Sequence, residues 1–158
     1  LPLFGYEAVL AVATDHPLAK EPYVNPTDLV EATLITYPVD RSRLDIFSSF
    51  LEPAGVEPSA IRTAELTTMM IQLVASGRGV VCLPNWALHE HVEKNYIVAK
   101  SLGEEGIWPN LYAAVRPDEA PVAFIASFVE TAKKTCFATL VGIVPADEDV
   151  AGSETLLR

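Results

Sequence analysis

The chain has 158 residues, half of them hydrophobic and a fifth charged, with 21 acidic against 11 basic residues. This composition is typical of a folded globular domain and excludes a disordered chain, and the apolar runs are too short for the ~20-residue helix that spans a membrane. The net charge of −10 argues against nucleic-acid binding by these residues alone, because a negative surface repels phosphates.

The first part of the sequence alternates strand and helix patterns. Because it begins with Leu1 and enters a strand-like pattern almost at once, we expect it to be part of a longer protein. The apolar run at residues 7–13 predicts a buried strand. Asn25 and Pro26 are typical of the cap and the first position of a short helix, and TLITYP, closed by Pro38, predicts the next strand.

A helix that ends at EPAG is expected next, with a wide apolar stripe. Leu44, Phe47 and Leu51 recur at helical spacing. Ile46 and Phe50 widen the stripe beyond what one buried face requires. We therefore predict that the stripe contacts a second subunit.

The remaining elements continue the alternation. Residues 59–64 predict a strand, and LTTMMIQLVASG predicts an amphipathic helix ended by Gly77, with an apolar face made of Leu66, Met69, Met70, Leu73 and Val74. GVVCLP predicts a strand, Asn85 can cap the helix NWALHEHVEK, and YIVAK and LYAAVR predict further strands. A final helix is expected over 122–137, and the tail after Pro145 is expected to be mobile.

This order indicates an α/β fold with a mainly parallel sheet and helices on both faces. Ligands of such sheets bind beyond the carboxyl ends of the strands, which directs attention to residues 36–42, 63–68 and 83–86. Gly77 and Gly79 follow a helix and precede a strand, the reverse of a phosphate-binding loop, so they are expected to form a turn.

The sequence offers no pattern of nucleophilic, acid–base or metal chemistry, so we expect neither an enzyme nor a cofactor. His89 and His91 are two residues apart and point to different sides of a helix, which does not suit a shared metal. His89 with Glu93 has the spacing of a surface pair. Cys82 and Cys136 have no CxxC partner and are expected to be buried, reduced thiols of a cytosolic protein.

Two predicted helix starts have the chemistry of a binding site. TYPVDRSRLDIF leaves a strand and enters a helix, where free amides can hold a carboxylate; capping by Asp40 or Ser42 alone is the open alternative. RTAELTTMM gathers two hydroxyls and an acid at another start: Thr63, Glu65 and Thr67. Together these groups suit a small zwitterion.

The motif DHPLA after an apolar strand, and LVASGRGVVCLP as helix, glycines and strand, resemble the effector domain of LysR-type transcriptional regulators. LITYPVDRSRLDIFSSFLEPAGVEPS, GVVCLPNWALHE and IVAKSLGEEGIWPNLYAAVR are similar to the methionine-biosynthesis regulators of that family. The likeness covers about residues 1–140.

The resemblance implies a fragment of a two-lobed domain like the type 2 periplasmic binding proteins. Its effector would be homocysteine, bound between the lobes of a homodimeric or homotetrameric regulator that holds DNA through an N-terminal helix-turn-helix outside this chain. The implied divisions are the end of the first lobe with its hinge strand, the second lobe, the returning helix of the first lobe and a tail, at residues 1–4, 5–116, 117–140 and 141–158.

The resemblance also implies the effector-binding residues. They are a residue of the hinge strand, a loop after a strand, a threonine with its neighbours and the wall of the cleft: Phe4; Thr36, Tyr37 and Pro38; Thr63, Glu65 and Leu66; Leu83 and Pro84. A first-lobe Ser or Thr that completes the pocket is not in this sequence. We therefore expect weak or undetectable homocysteine binding by the chain alone.

Two other functional classes are compatible with a two-lobed fold. An extracellular solute-binding protein for a small amino acid would carry a secretory signal upstream, whereas a regulator would carry a basic helix-turn-helix. An enzyme such as a deaminase or lyase needs a placed acid–base pair, which the sequence does not offer. The full reading frame distinguishes the first two.

Overall fold

The computed structural model describes residues 1–116 and 122–146. Within these residues, seven strands and three α-helices follow one another in the order β1, β2, β3, β4, α1, β5, α2, β6, β7, α3: Pro2–Gly5, Ala8–Val12, Thr33–Thr36, Ala60–Thr63, Thr67–Ala75, Val80–Pro84, Asn85–Glu93, Val98–Ser101, Asn110–Tyr112 and Ala123–Thr139. In the described part, no helix has the length and apolarity to cross a membrane. Most of the tail predicted to be mobile lies outside the described residues.

The chain forms two compact units. One is Glu7–Ile107, and the other joins Leu1–Tyr6 to the described residues that follow Ile107. In the second of these, β1 pairs antiparallel with β7, α3 contacts β1, and Gly5 exchanges backbone hydrogen bonds of 2.8 and 2.9 Å with Val144.

The unit Glu7–Ile107 is built on a five-stranded sheet in the order β4-β3-β5-β2-β6. β3 runs parallel to both β4 and β5, and β2 runs antiparallel to β5 and to β6. Four strands therefore share one direction and β2 alone is reversed. The predicted α/β fold is confirmed, with a mixed sheet in which two of the four neighbouring strand pairs are parallel and two are antiparallel.

Both faces of this sheet are covered by apolar side chains. Successive residues of a strand point to opposite faces, so Leu10 and Val12 of β2 join one cluster and Val9 and Ala11 join the other. The first cluster is closed by the short helical turns before and after β3, and the second by α1 and α2. The last residues of β3 and β4, Thr36 and Thr63, belong to neither cluster, and we call this end of the sheet the edge.

The apolar stripe that was predicted to contact a second subunit is part of the core. A 3₁₀ turn at Arg41–Arg43 is followed by a π-helical segment at Ile46–Leu51, and its side chains are buried with those of β2 and β3: Ile46, Phe47, Phe50 and Leu51. Leu44 packs against the same cluster. The prediction of an intersubunit contact through Leu44, Ile46, Phe47 and Phe50 is therefore wrong, because the wider π turn carries the last three side chains inward and Leu44 packs against their cluster.

Helix α1 buries part of the predicted face, with Leu73 packed against the core beside Met70 and Val74. Met70, Ile71 and Val74 are buried, whereas Leu66 is 60% and Met69 53% exposed. Leu66 has an extended backbone and lies before the first helical residue, so its side chain does not follow the helical stripe. Two large apolar side chains are left exposed at the start of this helix.

The glycine turn between α1 and β5 confirms the predicted structural role of both glycines. Gly77 has a φ of +68°, and its amide donates to the Val74 carbonyl at 2.9 Å, as in a left-handed helix cap. Gly79 has a φ of +153°, and a Cβ there would lie 2.6 Å from the Thr33 carbonyl oxygen. The turn therefore brings β5 into close contact with β3.

Candidate functional site

The carboxyl ends of the parallel strands bring two predicted threonines together. Thr36 and Thr63 are paired at the last position of β3 and β4, and the Ala64 amide donates to the Thr36 carbonyl at 3.0 Å. Paired residues of neighbouring strands project from the same face of a sheet. Thr36 is 7% exposed and Thr63 is exposed. The edge therefore has the buried Thr36 side chain beside the exposed Thr63 side chain.

Tyr37 is held to the start of α1 by its hydroxyl. The Tyr37 Oη and Thr67 Oγ1 atoms are 2.6 Å apart and half-buried, and Tyr37 also packs against the core cluster beneath α1. Pro38 follows on the exposed side. Thr67 is absent from the site residues implied by the resemblance; the hydroxyls of RTAELTTMM were the signal that pointed to it.

Helix α1 begins at this edge without a side-chain cap. The residue before the helix is Leu66, which has no hydroxyl or carboxylate to accept a hydrogen bond from the first-turn amides. The uncapped end of a helix carries a partial positive charge that favours an anionic group. Glu65, exposed in the turn just before, adds a carboxylate to the same edge.

The segment after Tyr37 is occupied by structural contacts. The Asp40 carboxylate accepts hydrogen bonds from the Ser42 hydroxyl and amide at 2.6 and 2.9 Å, and these bonds lower the pKa of Asp40. Arg41 donates to Glu52 at 2.9 Å and to both carboxylate oxygens of Glu57 at 2.9 and 2.6 Å. The structure therefore supports capping by Asp40, rather than ligand binding, as the role of this segment.

The other site residues implied by the resemblance belong to the core, to the end of β5 or to the other unit. Leu83 is 3% exposed in the cluster beneath α1 and α2, and Pro84 ends β5 and precedes α2. Phe4 is 1% exposed in β1, in the other unit. The residues that the structure brings together are Thr36, Tyr37, Thr63, Glu65, Leu66 and Thr67.

The remaining predictions concern His89 and the two cysteines, which are not part of the proposed site. His89 Nε2 lies 3.5 Å from Glu93 Oε1, which confirms the surface pair. Cys82 and Cys136 are both free, as predicted, but each is partly buried rather than buried. Burial, with the nearby Asp45 carboxylate, raises the pKa of the Cys82 thiol to about 12, so this thiol is un-ionised at neutral pH.

Asp45 yields a prediction about stability and pH. Burial raises the pKa of this carboxyl, so the folded state favours its protonated form and loses stability as the pH rises through that pKa. We expect Asp45→Asn to increase the free energy of unfolding at pH 7, by a few tenths of a kcal/mol because the group is only half-buried, and the gain to shrink towards pH 4.

Urea unfolding at both pH values measures this difference, with the exposed Asp15→Asn as the matched control. A less stable Asp45→Asn protein at pH 7 would show that the ionised carboxylate stabilises the fold, contrary to the expectation.

Comparison with known proteins shows the family. The model of the LysR substrate binding domain matches residues 1–137. HTH-type transcriptional regulator MetR of Haemophilus influenzae is 40% identical over 142 residues, which are 90% of this chain and 46% of that protein. MetR of Escherichia coli K12 is 43% identical over 132 residues, 84% of this chain and 41% of that protein. The chain thus spans less than half the length of these relatives.

A solved structure is similar to the chain in both sequence and fold. The regulatory domain of MetR, a LysR family regulator from N. meningitidis, is 37% identical, with a TM-score of 0.87 over 93% of this chain and 68% of that one. The likeness of sequence and that of structure point to the same family.

Proposed function

Because the chain belongs to the LysR substrate binding domain family, we propose that it is the effector-sensing domain of a DNA-binding regulator of methionine biosynthesis. The observation that carries the proposal is the identity of about 40% with MetR proteins over 84–90% of the chain. The domain is a non-enzymatic one, so it binds its effector and leaves it unchanged. DNA binding is assigned to a helix-turn-helix upstream, in keeping with the net charge of −10 of these residues.

Homocysteine is the proposed effector, and its three groups match the edge at β3, β4 and α1. The uncapped start of α1 favours the carboxylate, and Glu65 offers a partner for the ammonium. Leu66, 60% exposed, offers an apolar surface for the thiol-bearing stem. Asp40 is not assigned to the ammonium, because its carboxylate caps the turn at Ser42.

We assign Glu7–Ile107 to the second lobe of the domain, within the predicted division at residues 5–116, and the other unit to part of the first lobe.

In the unit assigned to the first lobe, the α3 side chains Phe124 and Phe128 are 72% and 69% exposed, which is a large exposed apolar area for one helix. Upstream residues of the full-length protein are proposed to cover it. The chain alone is expected to bind homocysteine weakly, since the Ser or Thr that the resemblance implies for the rest of the pocket is not in this sequence.

The full-length regulator is proposed to be cytoplasmic and to form a homodimer or homotetramer. The family match favours this function over an extracellular solute-binding protein. The full reading frame tests the choice: an upstream basic helix-turn-helix supports the regulator, and a secretory signal would contradict it.

Thr63 provides the direct test of the binding edge. Its exposed hydroxyl lies beside the covered one of Thr36 at the strand ends. In the full-length protein we expect Thr63→Val to weaken homocysteine binding about tenfold, the effect of one hydrogen bond to a charged group. Isothermal titration under reducing conditions measures the affinity.

Thr33→Val is the matched control, because Thr33 lies at the opposite end of β3. It is expected to bind homocysteine as the wild type does. Equal affinities of wild type and Thr63→Val would remove Thr63 from the site.

A further inference from the structure

The hydroxyl pair of Tyr37 and Thr67 joins two segments that are 30 residues apart in sequence. One segment is the loop after β3, and the other is the start of α1. The separation of 2.6 Å between Oη and Oγ1 is short for two hydroxyl groups. The contact is therefore a close long-range link at the proposed effector edge.

This link closes a ring at the end of the sheet. The last backbone hydrogen bond between the two segments runs from the Ala64 amide to the Thr36 carbonyl, at 3.0 Å. Beyond it the chains diverge, one into the loop and the other towards α1, until the hydroxyl pair joins them again. The side of the ring between Ala64 and Thr67 consists of Glu65 and Leu66, both exposed.

We propose that the Tyr37–Thr67 pair is a positioning contact of the effector site. It fixes the spacing between Thr36 and Thr63–Leu66, the proposed effector residues on either side of it, while the Tyr37 and Thr67 hydroxyls bind each other rather than the effector. This inference rests on the proposed function, because it concerns the same site.

The physical reason is pre-organisation. A loop that is already ordered before the ligand arrives does not lose conformational freedom on binding, so its contacts contribute more to affinity. Loss of either hydroxyl frees the loop from α1, and the ligand must then order both. Because both hydroxyls take part in one contact, removal of both should lower the affinity for the effector little more than removal of either one.

A double-mutant cycle in the full-length protein tests the inference. Tyr37→Phe and Thr67→Val are each expected to weaken homocysteine binding five- to tenfold, and the double variant by about the same factor. Thr33→Val, the same substitution at the opposite end of β3, is expected to bind as the wild type does. Amide hydrogen exchange without ligand should be faster at the hydrogen-bonded amides of Ala64 and Met70 in Tyr37→Phe and Thr67→Val, and unchanged in Thr33→Val.

The outcomes separate the two proposals. If the wild type binds homocysteine and Tyr37→Phe and Thr67→Val bind it with the same affinity, the positioning role alone is overturned. This holds even if both variants unfold at lower urea concentrations. Independent, multiplying losses in the double variant would also overturn it, because each hydroxyl would then act separately. A wild-type protein that does not bind homocysteine would overturn the proposed effector and with it this role of the pair.

Discussion

Replacement of Phe47 by alanine is expected to lower the free energy of unfolding by about 3–5 kcal/mol, as for a buried aromatic side chain truncated in a closed core. Phe47 is 2% exposed and lies in the cluster between the sheet and the π-helical segment. The Arg41 guanidinium lies 4.1 Å from the centre of its ring, so the variant also loses a cation–π contact. Urea unfolding measures the loss.

The same variant tests whether the apolar stripe at residues 44–51 belongs to the core or to an interface with a second subunit. If Phe47 contacted a second subunit, its loss would change self-association and leave the stability of the monomer nearly intact. Tyr96→Ala is the control, because Tyr96 is aromatic and 57% exposed; it is expected to cost less than about 1 kcal/mol. A loss below about 1 kcal/mol in Phe47→Ala, with altered sedimentation, would restore the interface interpretation.

Replacement of Gly79 by alanine is the second large effect. The added Cβ would lie 2.6 Å from the Thr33 carbonyl oxygen and 3.1 Å from two side-chain carbons of Ile35. A backbone atom of a central strand has little freedom to move, and φ at this residue disfavours any side chain. We expect a loss of about 2–4 kcal/mol in the free energy of unfolding.

Gly77→Ala provides the comparison two residues away. It has a left-handed φ of +68°, but its Cβ would meet nothing within 4 Å. Only the conformational cost remains there, about 1 kcal/mol. Equal losses in the two variants, measured by urea unfolding, would show that the close approach to β3 does not decide the cost at Gly79.

The strands and the glycine turn could be predicted because local rules fix them. A short apolar run predicts a buried strand wherever it lies in the sheet, and a left-handed helix cap requires glycine at Gly77. The π-helical segment could not be predicted, because apolar residues at 44, 46, 47, 50 and 51 suit either a wide stripe or a wide turn. The structure shows a wide turn, with Ile46, Phe47, Phe50 and Leu51 buried and Leu44 partly buried.

The candidate site was only partly predictable for a related reason. The pairing of Thr36 with Thr63 follows from β3 lying beside β4, a long-range fact that periodicity does not contain. The same holds for the contact of Tyr37 with Thr67. Helix-start chemistry alone also left open whether Asp40 would bind a ligand or cap its own turn, and the structure supports the cap.

A crystal structure of the full-length protein grown with homocysteine tests the proposed site most directly. We predict an intact homocysteine molecule in contact with the Thr63 hydroxyl and the first turn of α1, with the Tyr37–Thr67 hydrogen bond preserved. A homocysteine molecule bound away from the ends of β3 and β4, or found as a reaction product, would contradict this prediction.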